Sequence, residues 1–261
     1  MSAERPAVLI TGASSGIGAT YADRFARRGH PLVLVARDKV RLEALAARLR
    51  AEYGVVVDVV PADLTDAAQL ATVEARLRED GRIGILINNA GAASKGGFLG
   101  ADGDALDLLI RLNVTAVTRL AAAVVPRFAA AGQGAIVNIA SVLALMPEFP
   151  MGNYGATKAY VLSLSQALQN EIGPRGVHVQ AVLPGATRTE IWGRSGHDVD
   201  QIPGMMAVGD LVDAALVGFD RGETITIPPL PDAGQWEAFE GARHAMRANF
   251  GNALPADRYT K

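Results

Sequence analysis

Tyr154 and Lys158 are the side chains of this sequence whose types and spacing best suit proton transfer. They are four residues apart in a segment with helical periodicity, so we expect both on one face of a helix. A nearby ammonium favours the phenolate and lowers a tyrosine pKa that is otherwise about 10. The pair therefore predicts a general acid/base, with further lysine donors available to a ribose. The alternative is a core-edge tyrosine beside a lysine that extends to solvent.

The helix face that carries this pair is otherwise apolar. It continues through Val161, Leu162 and Leu168, with the small Ser165 between them. A lysine on a buried face is costly unless its charge has a partner. The placement of Lys158 therefore favours a functional role.

A glycine-rich turn follows the first predicted strand and opens the first predicted helix. Gly12 suits the tight turn, Gly16 the close approach of a pyrophosphate, and Gly18 the packing of the helix on the sheet. The helix N-terminus attracts negative charge, and nearby hydroxyls can donate to it. The cofactor-binding residues predicted here are Gly12, Ser14, Ser15, Gly16, Ile17 and Gly18. The spacing differs from the usual dinucleotide fingerprint, so the turn alone also fits a helix start that needs small residues.

The residues after the second predicted strand bear on the choice of nucleotide. An acidic residue at this strand end would bind the ribose hydroxyls of NAD, whereas Ala36 stands there and Arg37 follows. A guanidinium can bind a 2′-phosphate through charge-assisted hydrogen bonds, so NADP(H) is preferred and NAD(H) remains possible. Asp38 either caps the next helix or repels the phosphate. Asp63, with Leu64, is either an adenine contact or an ordinary helix-start acid.

The elements that must position these residues alternate along the chain. The predicted strands are continuous apolar runs, as in a parallel sheet buried on both faces: Ala7–Thr11, Leu32–Ala36, Val55–Val60, Ile83–Asn88, Ala135–Ala140, Val177–Leu183 and Thr224–Pro228. Between them lie the helical patterns Gly16–Arg28, Asp38–Glu52, Asp66–Asp80, Ala105–Ala131 and Tyr154–Gly173. The alternation predicts one α/β domain over 1–261, a doubly wound parallel sheet of about seven strands with helices on both faces. Residues 186–209 are expected to form a substrate lid, and 232–249 a C-terminal helix.

Composition excludes several classes of protein. The 261 residues include no cysteine, which removes disulfides and thiolate chemistry, and a net charge of −2 gives no attraction to nucleic acid or membranes. The four histidines lack metal-ligand spacing, so we expect no metal. No signal peptide and no apolar stretch of about 18 residues are recognised, so a cytoplasmic location is expected.

The order and spacing of these motifs resemble the simple, single-domain branch of the short-chain dehydrogenase/reductase family, over residues 7–230. The resemblance rests on the glycine turn and on Tyr154 with Lys158. It rests also on Asn88-Asn89-Ala90-Gly91 after the fourth strand, Asn113 in the long helix, Ser141 after the fifth strand, and Pro184-Gly185 followed by Thr187 and Thr189. It implies a Rossmann-like fold and an oxidoreductase that interconverts a carbonyl and an alcohol by hydride transfer.

The resemblance also implies a role for each site residue. Ser141 would polarise the substrate carbonyl, Tyr154 would transfer the proton, and Lys158 would lower the tyrosine pKa and bind the nicotinamide ribose. Asn113 would hold a water that links Lys158 to solvent. The remaining cofactor contacts implied are Asn89, Ala90, Gly91, Pro184, Gly185, Thr187 and Thr189.

The expected substrate is a small-molecule carbonyl or alcohol that is mostly apolar, with Arg188 and Arg194 as the alternative recognition of an acidic substrate group. Its predicted pocket comprises Leu143, Met151, Ile191 and Trp192, bordered by Met146, Phe149, Met205 and Met206. The last strand runs into Pro228 and Pro229 where relatives carry Asp-Gly-Gly, which leaves the oligomer open, with a tetramer expected first and a dimer second. Two other functions remain: an NADP-binding regulator without turnover, and an isomerase or lyase on the same scaffold.

Overall fold

A single parallel sheet of seven strands, in the order β3-β2-β1-β4-β5-β6-β7, forms the centre of the chain. The computed structural model describes residues 5–93, 97–149, 151–194 and 202–260. The strands are β1 (Ala7–Thr11), β2 (Leu32–Ala36), β3 (Val57–Pro61), β4 (Ile83–Asn88), β5 (Gly134–Ile139), β6 (Val177–Val182) and β7 (Ile225–Thr226). The doubly wound parallel sheet is thus confirmed.

The strands differ in burial according to their place in the sheet. Every residue of β1 and β2 is buried, which is why these runs are apolar without alternation. The edge strand β3 is mostly half-buried and begins at Val57 rather than Val55. The opposite edge, β7, has two residues instead of the five expected between Thr224 and Pro228. A proline lacks the N–H that would continue the pairing with β6.

Helices cover both faces of the sheet. They are α1 (Gly16–Arg27), α2 (Lys39–Tyr53), α3 (Ala67–Glu79), α4 (Gly103–Ile110), α5 (Val117–Ala131), α6 (Gly152–Ile172), α7 (Ile191–Arg194), α8 (Val208–Asp220) and α9 (Ala233–Ala245). Apolar residues of α1, α2 and α8 form one buried cluster with the sheet. Those of α3, α5 and α6 form a second cluster. This three-layer packing leaves the carboxyl ends of the strands for the loops that carry the site.

The helix expected as Ala105–Ala131 is not a continuous α-helix. A π-helical turn, Arg111–Ala116, separates α4 from α5. The expectation that no apolar stretch reaches about 18 residues is wrong, because Gly103–Ala131 contains an 18-residue window with a mean hydropathy of 1.7 and could by length and composition cross a membrane. Its buried Leu120 and Val124 pack in a sheet cluster, as in the core helix of a globular domain.

The sequence analysis did not predict α8. It begins inside the segment expected as a lid, and its buried face is formed by Leu211, Val212, Ala215 and Leu216. These four residues have the i, i+1, i+4, i+5 spacing of an amphipathic helix. The same periodicity was available in the sequence.

Residues 229–261 form a compact unit apart from residues 1–228. Within it α9 begins at a cap, where the Asp232 carboxylate accepts from the Gly234 N–H at 2.9 Å, and a 3₁₀ turn continues it as Met246–Asn249. The rings of Trp236 and Phe239 lie 5.4 Å apart. The assignment of 1–261 to a single domain stays a prediction.

Candidate active site

The turn after β1 and the loop after β4 are joined through one threonine. The hydroxyl of Thr11 accepts from the N–H groups of Asn89 and Ala90, both at 3.0 Å, and donates to the Ile87 carbonyl. In return, Asn89 Nδ2 donates to the carbonyl oxygens of Thr11 at 2.9 Å and Gly12 at 3.3 Å. β1 and β4 are neighbours at the point where the strand order reverses, which is where such sheets bind ligands. Asn89 thus tethers the glycine turn.

The glycine turn forms a cradle that side chains would fill. Gly12 and Gly16 have positive φ, +66° and +53°, and a Cβ on Gly18 would lie 2.4 Å from the Gly12 carbonyl oxygen. Ser15 is the N-cap of α1, yet its hydroxyl makes no capping hydrogen bond, and the first turn holds no acidic residue. The N–H groups of the first helical turn, a hydroxyl that makes no capping bond and the positive helix end together fit a pyrophosphate. The cradle therefore suits a dinucleotide.

The end of β2 presents a guanidinium to solvent. The Arg37 side chain is 71% exposed and makes a long ion contact of 3.8 Å with Asp63. Asp63 accepts from both the N–H and the hydroxyl of Thr65, at 2.9 and 2.7 Å, and the adjacent Leu64 is buried. Asp38 caps α2, so the capping alternative is the one observed. An adenine contact by Asp63 and Leu64 stays a prediction.

Tyr154 and Lys158 lie on one face of α6, as their spacing predicts. Lys158 is only 6% exposed, and its ammonium donates to the Ile139 carbonyl oxygen at 2.8 Å. The same Nζ is 5.7 Å from the centroid of the Tyr154 ring. Ile139 is the last residue of β5, so the hydrogen-bond acceptor for the buried ammonium is a backbone carbonyl at the carboxyl end of that strand. A Cβ on Gly91 would come within 3.5 Å of Nζ, which keeps the loop after β4 small at this point.

The pKa values of the pair differ from expectation. Burial raises the pKa of Tyr154 to about 12, against an opposing effect of its hydrogen bond with Ser141. Burial also lowers the pKa of Lys158 to about 8. The pKa of Tyr154 is therefore raised by desolvation and not lowered, which is opposite to the direction expected from the nearby ammonium. Tyr154 therefore holds its proton at neutral pH, the state of a general acid.

Ser141 follows β5 and is both a cap and a neighbour of Tyr154. Its hydroxyl accepts from the Leu143 N–H at 3.2 Å, closing the 3₁₀ turn Val142–Ala144, and approaches the Pro184 carbonyl oxygen at 3.5 Å. The residue is 7% exposed. Ser141 thus caps this turn and also forms a hydrogen bond with Tyr154.

Asn113 lies in the π turn and binds two segments of the site. Its Oδ1 accepts from the Ala92 N–H, and its Nδ2 donates to the Ala92 carbonyl oxygen and to Thr157 Oγ1, each at 3.0 Å. A π turn rotates the residues within a helix relative to those of a regular α-helix and is frequent at functional sites. Asn113 thereby joins the loop after β4 to α6, while the predicted water relay stays a prediction.

The segment after β6 passes over the glycine turn. Thr187 donates to the Gly185 carbonyl oxygen at 3.0 Å and pairs with Met206, and the Trp192 indole donates to the Thr187 carbonyl oxygen at 2.7 Å. The Thr189 methyl lies 3.4 Å from where a Cβ on Gly16 would be. Thr189 is therefore near the cradle, as expected for a diphosphate contact. Of the expected lid, residues 195–201 lie outside the described part of the chain.

The predicted pocket residues lie on the segments that follow the carboxyl ends of β5 and β6. Leu143, Met151, Ile191 and Trp192 are all partly buried. Met146 and Phe149, on the segment after β5, are 43% and 53% exposed. The apolar pair Phe98 and Leu99, on the loop after the neighbouring β4, is also exposed and was not named in the sequence analysis. The described chain contains no group of three His, Asp or Glu side chains placed to hold a metal.

Three functional contacts were missed from the sequence. They are the Thr11 hydroxyl, the Ile139 carbonyl oxygen and the Thr157 hydroxyl. Thr11 had a signal, because it is a polar residue ending an otherwise apolar strand. The other two depend on contacts between distant segments.

Comparison with known proteins agrees with this geometry. The family profile described as short chain dehydrogenase matches residues 6–200. A curated relative is the 2,5-dichloro-2,5-cyclohexadiene-1,4-diol dehydrogenase of Sphingobium indicum, 33% identical over 87% of this chain and 94% of the relative.

Two solved structures are similar along nearly the whole chain. A short-chain dehydrogenase from Sphingobium yanoikuyae, in complex with NADPH, has 65% identity and a TM-score of 0.96, covering 97% of this chain and 99% of that one. A bulky-bulky ketone specific alcohol dehydrogenase from Comamonas testosteroni has 55% identity and a TM-score of 0.93, covering 99% of this chain and 100% of its own. Both similarities extend beyond the residues that the family profile matches.

Proposed function

This chain belongs to the short-chain dehydrogenase/reductase family, and from that premise we propose that it is an NADPH-preferring reductase of bulky ketones. As a member it is an NAD(P)-dependent oxidoreductase that interconverts a carbonyl and an alcohol. The observation that carries the proposal is the placement of Tyr154 on one helix face with the buried ammonium of Lys158. The raised pKa of Tyr154 means that its phenol keeps its proton at neutral pH, as the reduction of a carbonyl requires.

The proposed roles follow from the contacts of each side chain. A bound reduced nicotinamide supplies the hydride. Ser141, held by the turn that it caps, orients the carbonyl oxygen toward the phenol of Tyr154. Tyr154 then donates its proton to that oxygen, and the Lys158 ammonium stabilises the phenolate left behind. Asn113, fixed through Ala92 and Thr157, would hold the water through which the proton is restored.

The preference for NADP(H) is supported by the charges at the end of β2. Arg37 is exposed there, and the strand ends in Ala36 rather than in an acidic residue. A carboxylate at this position would repel a 2′-phosphate, whereas a guanidinium binds it with directed hydrogen bonds. The relative from Sphingobium yanoikuyae, at 65% identity, is in complex with NADPH.

The substrate class is supported by the similarity to a ketone-specific relative. The Comamonas testosteroni enzyme, at 55% identity, is specific for bulky-bulky ketones. The proposed pocket residues of this chain are apolar and uncharged, and Met146 and Phe149 near them leave apolar surface exposed. Apolar surface of this kind suits the large hydrocarbon substituents of such a ketone.

The remaining expectations belong to the same proposal. The chain functions as one cytoplasmic oxidoreductase domain over 1–261, with residues 186–209 as the substrate lid and 232–249 as a C-terminal helix. We expect a homo-oligomer, a tetramer first and a dimer second. The exposed Phe239, Met246 and Phe250 give the unit 229–261 apolar surface that assembly would bury.

The proposal is tested by following the absorbance of reduced nicotinamide during ketone reduction. The ketones compared are a methyl ketone and diaryl or aryl-alkyl ketones with two large groups, each with NADPH and NADH. We expect the highest kcat/KM for a ketone with two large groups and NADPH. Tight NADPH binding without turnover of any ketone, aldehyde or alcohol would favour the regulator instead. Equal use of NADH would contradict the cofactor preference.

A further inference from the structure

An ion pair links the segment after β6 to the helix that follows β2. One guanidinium nitrogen of Arg41, in the first turn of α2, lies 2.9 and 2.8 Å from the two carboxylate oxygens of Glu190. The two residues are 149 positions apart in the sequence. Glu190 directly precedes α7, in the segment proposed as the lid.

The segment 187–190 crosses the dinucleotide cradle from one side to the other. Thr187 fixes its start through the Gly185 carbonyl oxygen and the pairing with Met206. Thr189 lies over Gly16, and Glu190 then reaches Arg41. The segment therefore ends on the side of the cradle where the adenosine ribose of a dinucleotide would bind.

Two arginines belong to the junction of β2 and α2 at that end. Arg37 and Arg41 lie on either side of Asp38 in the chain, at the junction of β2 and α2. Arg37 is exposed, while Arg41 holds the carboxylate of Glu190 through both oxygens. A carboxylate held by a guanidinium occupies the kind of position that a phosphate would take, because both anions offer oxygens to the same donors.

We infer that Arg41 is a second residue for the 2′-phosphate of NADP(H) and that Glu190 is an internal competitor for it. Binding of the 2′-phosphate exchanges one anion on Arg41 for another and releases Glu190. NADP(H), but not NAD(H), thereby loosens the attachment of the segment 187–190 to α2. This inference rests on the proposed preference for NADP(H).

The exchange is energetically accessible. The side chains of Arg41 and Glu190 are 48% and 49% exposed, so solvent screens their attraction. A phosphate dianion carries more charge and more acceptor oxygens than the carboxylate that it replaces. Once the phosphate is bound, its repulsion of Glu190 keeps the pair apart.

The first test measures dissociation constants for NADPH and NADH by fluorescence titration. Glu190→Gln removes the competitor and should raise the preference for NADPH over NADH by up to about fivefold, which corresponds to ~1 kcal/mol. Arg41→Ala should lower that preference on the order of tenfold, because a charge-assisted bond to phosphate is lost. Glu52→Gln is the matched control, because Glu52 pairs with Arg48 on the same helix at equal 49% exposures. It should leave the preference unchanged.

The second test measures a response of the segment after β6 through the fluorescence of Trp192. Trp192 donates to Thr187 within it, and replacing the second tryptophan by Trp236→Phe leaves Trp192 as the sole reporter. NADP⁺ should change the emission of Trp192 in the Trp236→Phe protein, and NAD⁺ at saturation should change it less. Adding Glu190→Gln should shift the emission before any cofactor is present and remove the difference between the two cofactors.

Three results would overturn the inference. Glu190→Gln could weaken the binding of both cofactors equally, which would mean that the Arg41–Glu190 pair supports the binding of any dinucleotide. Glu190→Gln or Arg41→Ala could instead leave the preference unchanged, or the Trp192 response could be the same for both cofactors. The proposed function fails differently, through an unmodified chain that binds NADH as tightly as NADPH.

Discussion

The ammonium of Lys158 lies 5.7 Å from the ring centroid of Tyr154, on the same face of α6. The same ammonium donates to the carbonyl oxygen of Ile139, so a single buried cation connects the tyrosine to the end of β5. Burial keeps the phenol protonated and lowers the pKa of the ammonium to about 8. The ammonium of Lys158 therefore lies in a buried position, where the loss of its hydration reduces the stability of the fold.

Lys158→Met should increase the free energy of unfolding at pH 7 while reducing turnover. In the folded chain the pKa of Lys158 is about 8, below the 10.5 of a solvated lysine, so the unfolded chain binds more protons between these values. The stability of the unmodified protein consequently rises as the pH increases from about 8 toward 10.5. Removing the buried charge should stabilise the fold at pH 7 by ~2 kcal/mol, after allowance for the lost hydrogen bond to Ile139.

Chemical denaturation at pH 7 and pH 9.5 measures this effect, and the advantage of the variant should shrink at the higher pH. Lys39→Met, at an exposed position of α2, is the control and should show neither effect. A Lys158→Met protein less stable than the unmodified chain at pH 7 would show that the ammonium stabilises the fold.

Activity should follow the same lysine. Carbonyl reduction requires the proton of Tyr154 and the charge of Lys158. The pKa of Tyr154 is about 12, so this proton is retained at pH 8, whereas the charge of Lys158 is lost as the pH rises through about 8. In the kcat/KM profile for ketone reduction we expect a plateau below about pH 8 and a decline as the pH rises through that value. A profile that rises from pH 7 to pH 9 would contradict the assignment of Tyr154 as the acid in this direction.

Gly18→Ala should disrupt the cradle. The added methyl would lie 2.4 Å from the Gly12 carbonyl oxygen and 2.5 Å from Asn89 Nδ2, so α1 must move away from the turn. We expect a loss of about 1–3 kcal/mol in unfolding free energy, as for overpacked cores, and NADPH binding weakened at least about tenfold. Gly103→Ala is the control, because a Cβ there meets nothing within 4 Å. If Gly18→Ala bound NADPH normally, the cradle would not hold the cofactor.

Arg37→Ala should weaken NADPH binding on the order of tenfold or more and NADH binding little, since only the former carries a 2′-phosphate. Arg221→Ala is a closely matched control. Both side chains are 71% exposed, and each makes one long ion contact, at 3.8 Å for Arg37 and 4.0 Å for Arg221. Titration of each variant with both cofactors gives the ratio of the dissociation constants for NADH and NADPH. Equal weakening of NADPH and NADH would remove Arg37 from the 2′-phosphate site.

Much of the fold could be predicted because a doubly wound sheet has a strong sequence signature. Strands buried on both faces must be continuous apolar runs, and β1, β2 and β4 match the predicted bounds. The carboxyl ends of β2 and β5 then fix where Arg37 and Ser141 must lie. The exposed edges were predicted less well, because β3 and β7 have fewer apolar constraints.

What could not be predicted depends on contacts between distant segments. The π turn at Asn113 could not be predicted, because apolar periodicity does not specify the backbone hydrogen bonds that define such a turn. The carbonyl partner of Lys158 belongs to β5, and every residue offers such a carbonyl. The direction of the Tyr154 pKa shift was not predicted, because the spacing of two residues in the sequence indicates a nearby charge but does not show how far the phenol is buried.

Tyr154→Phe tests the central claim most directly, because it removes one hydroxyl and keeps the ring that packs beside Lys158. Single-turnover reduction of a ketone by NADPH should slow by about 10²–10⁴-fold. The dissociation constant for NADPH and the thermal midpoint should remain close to those of the unmodified protein. Turnover within about tenfold of the unmodified rate, with NADPH bound normally, would contradict the assignment of Tyr154 as the proton donor.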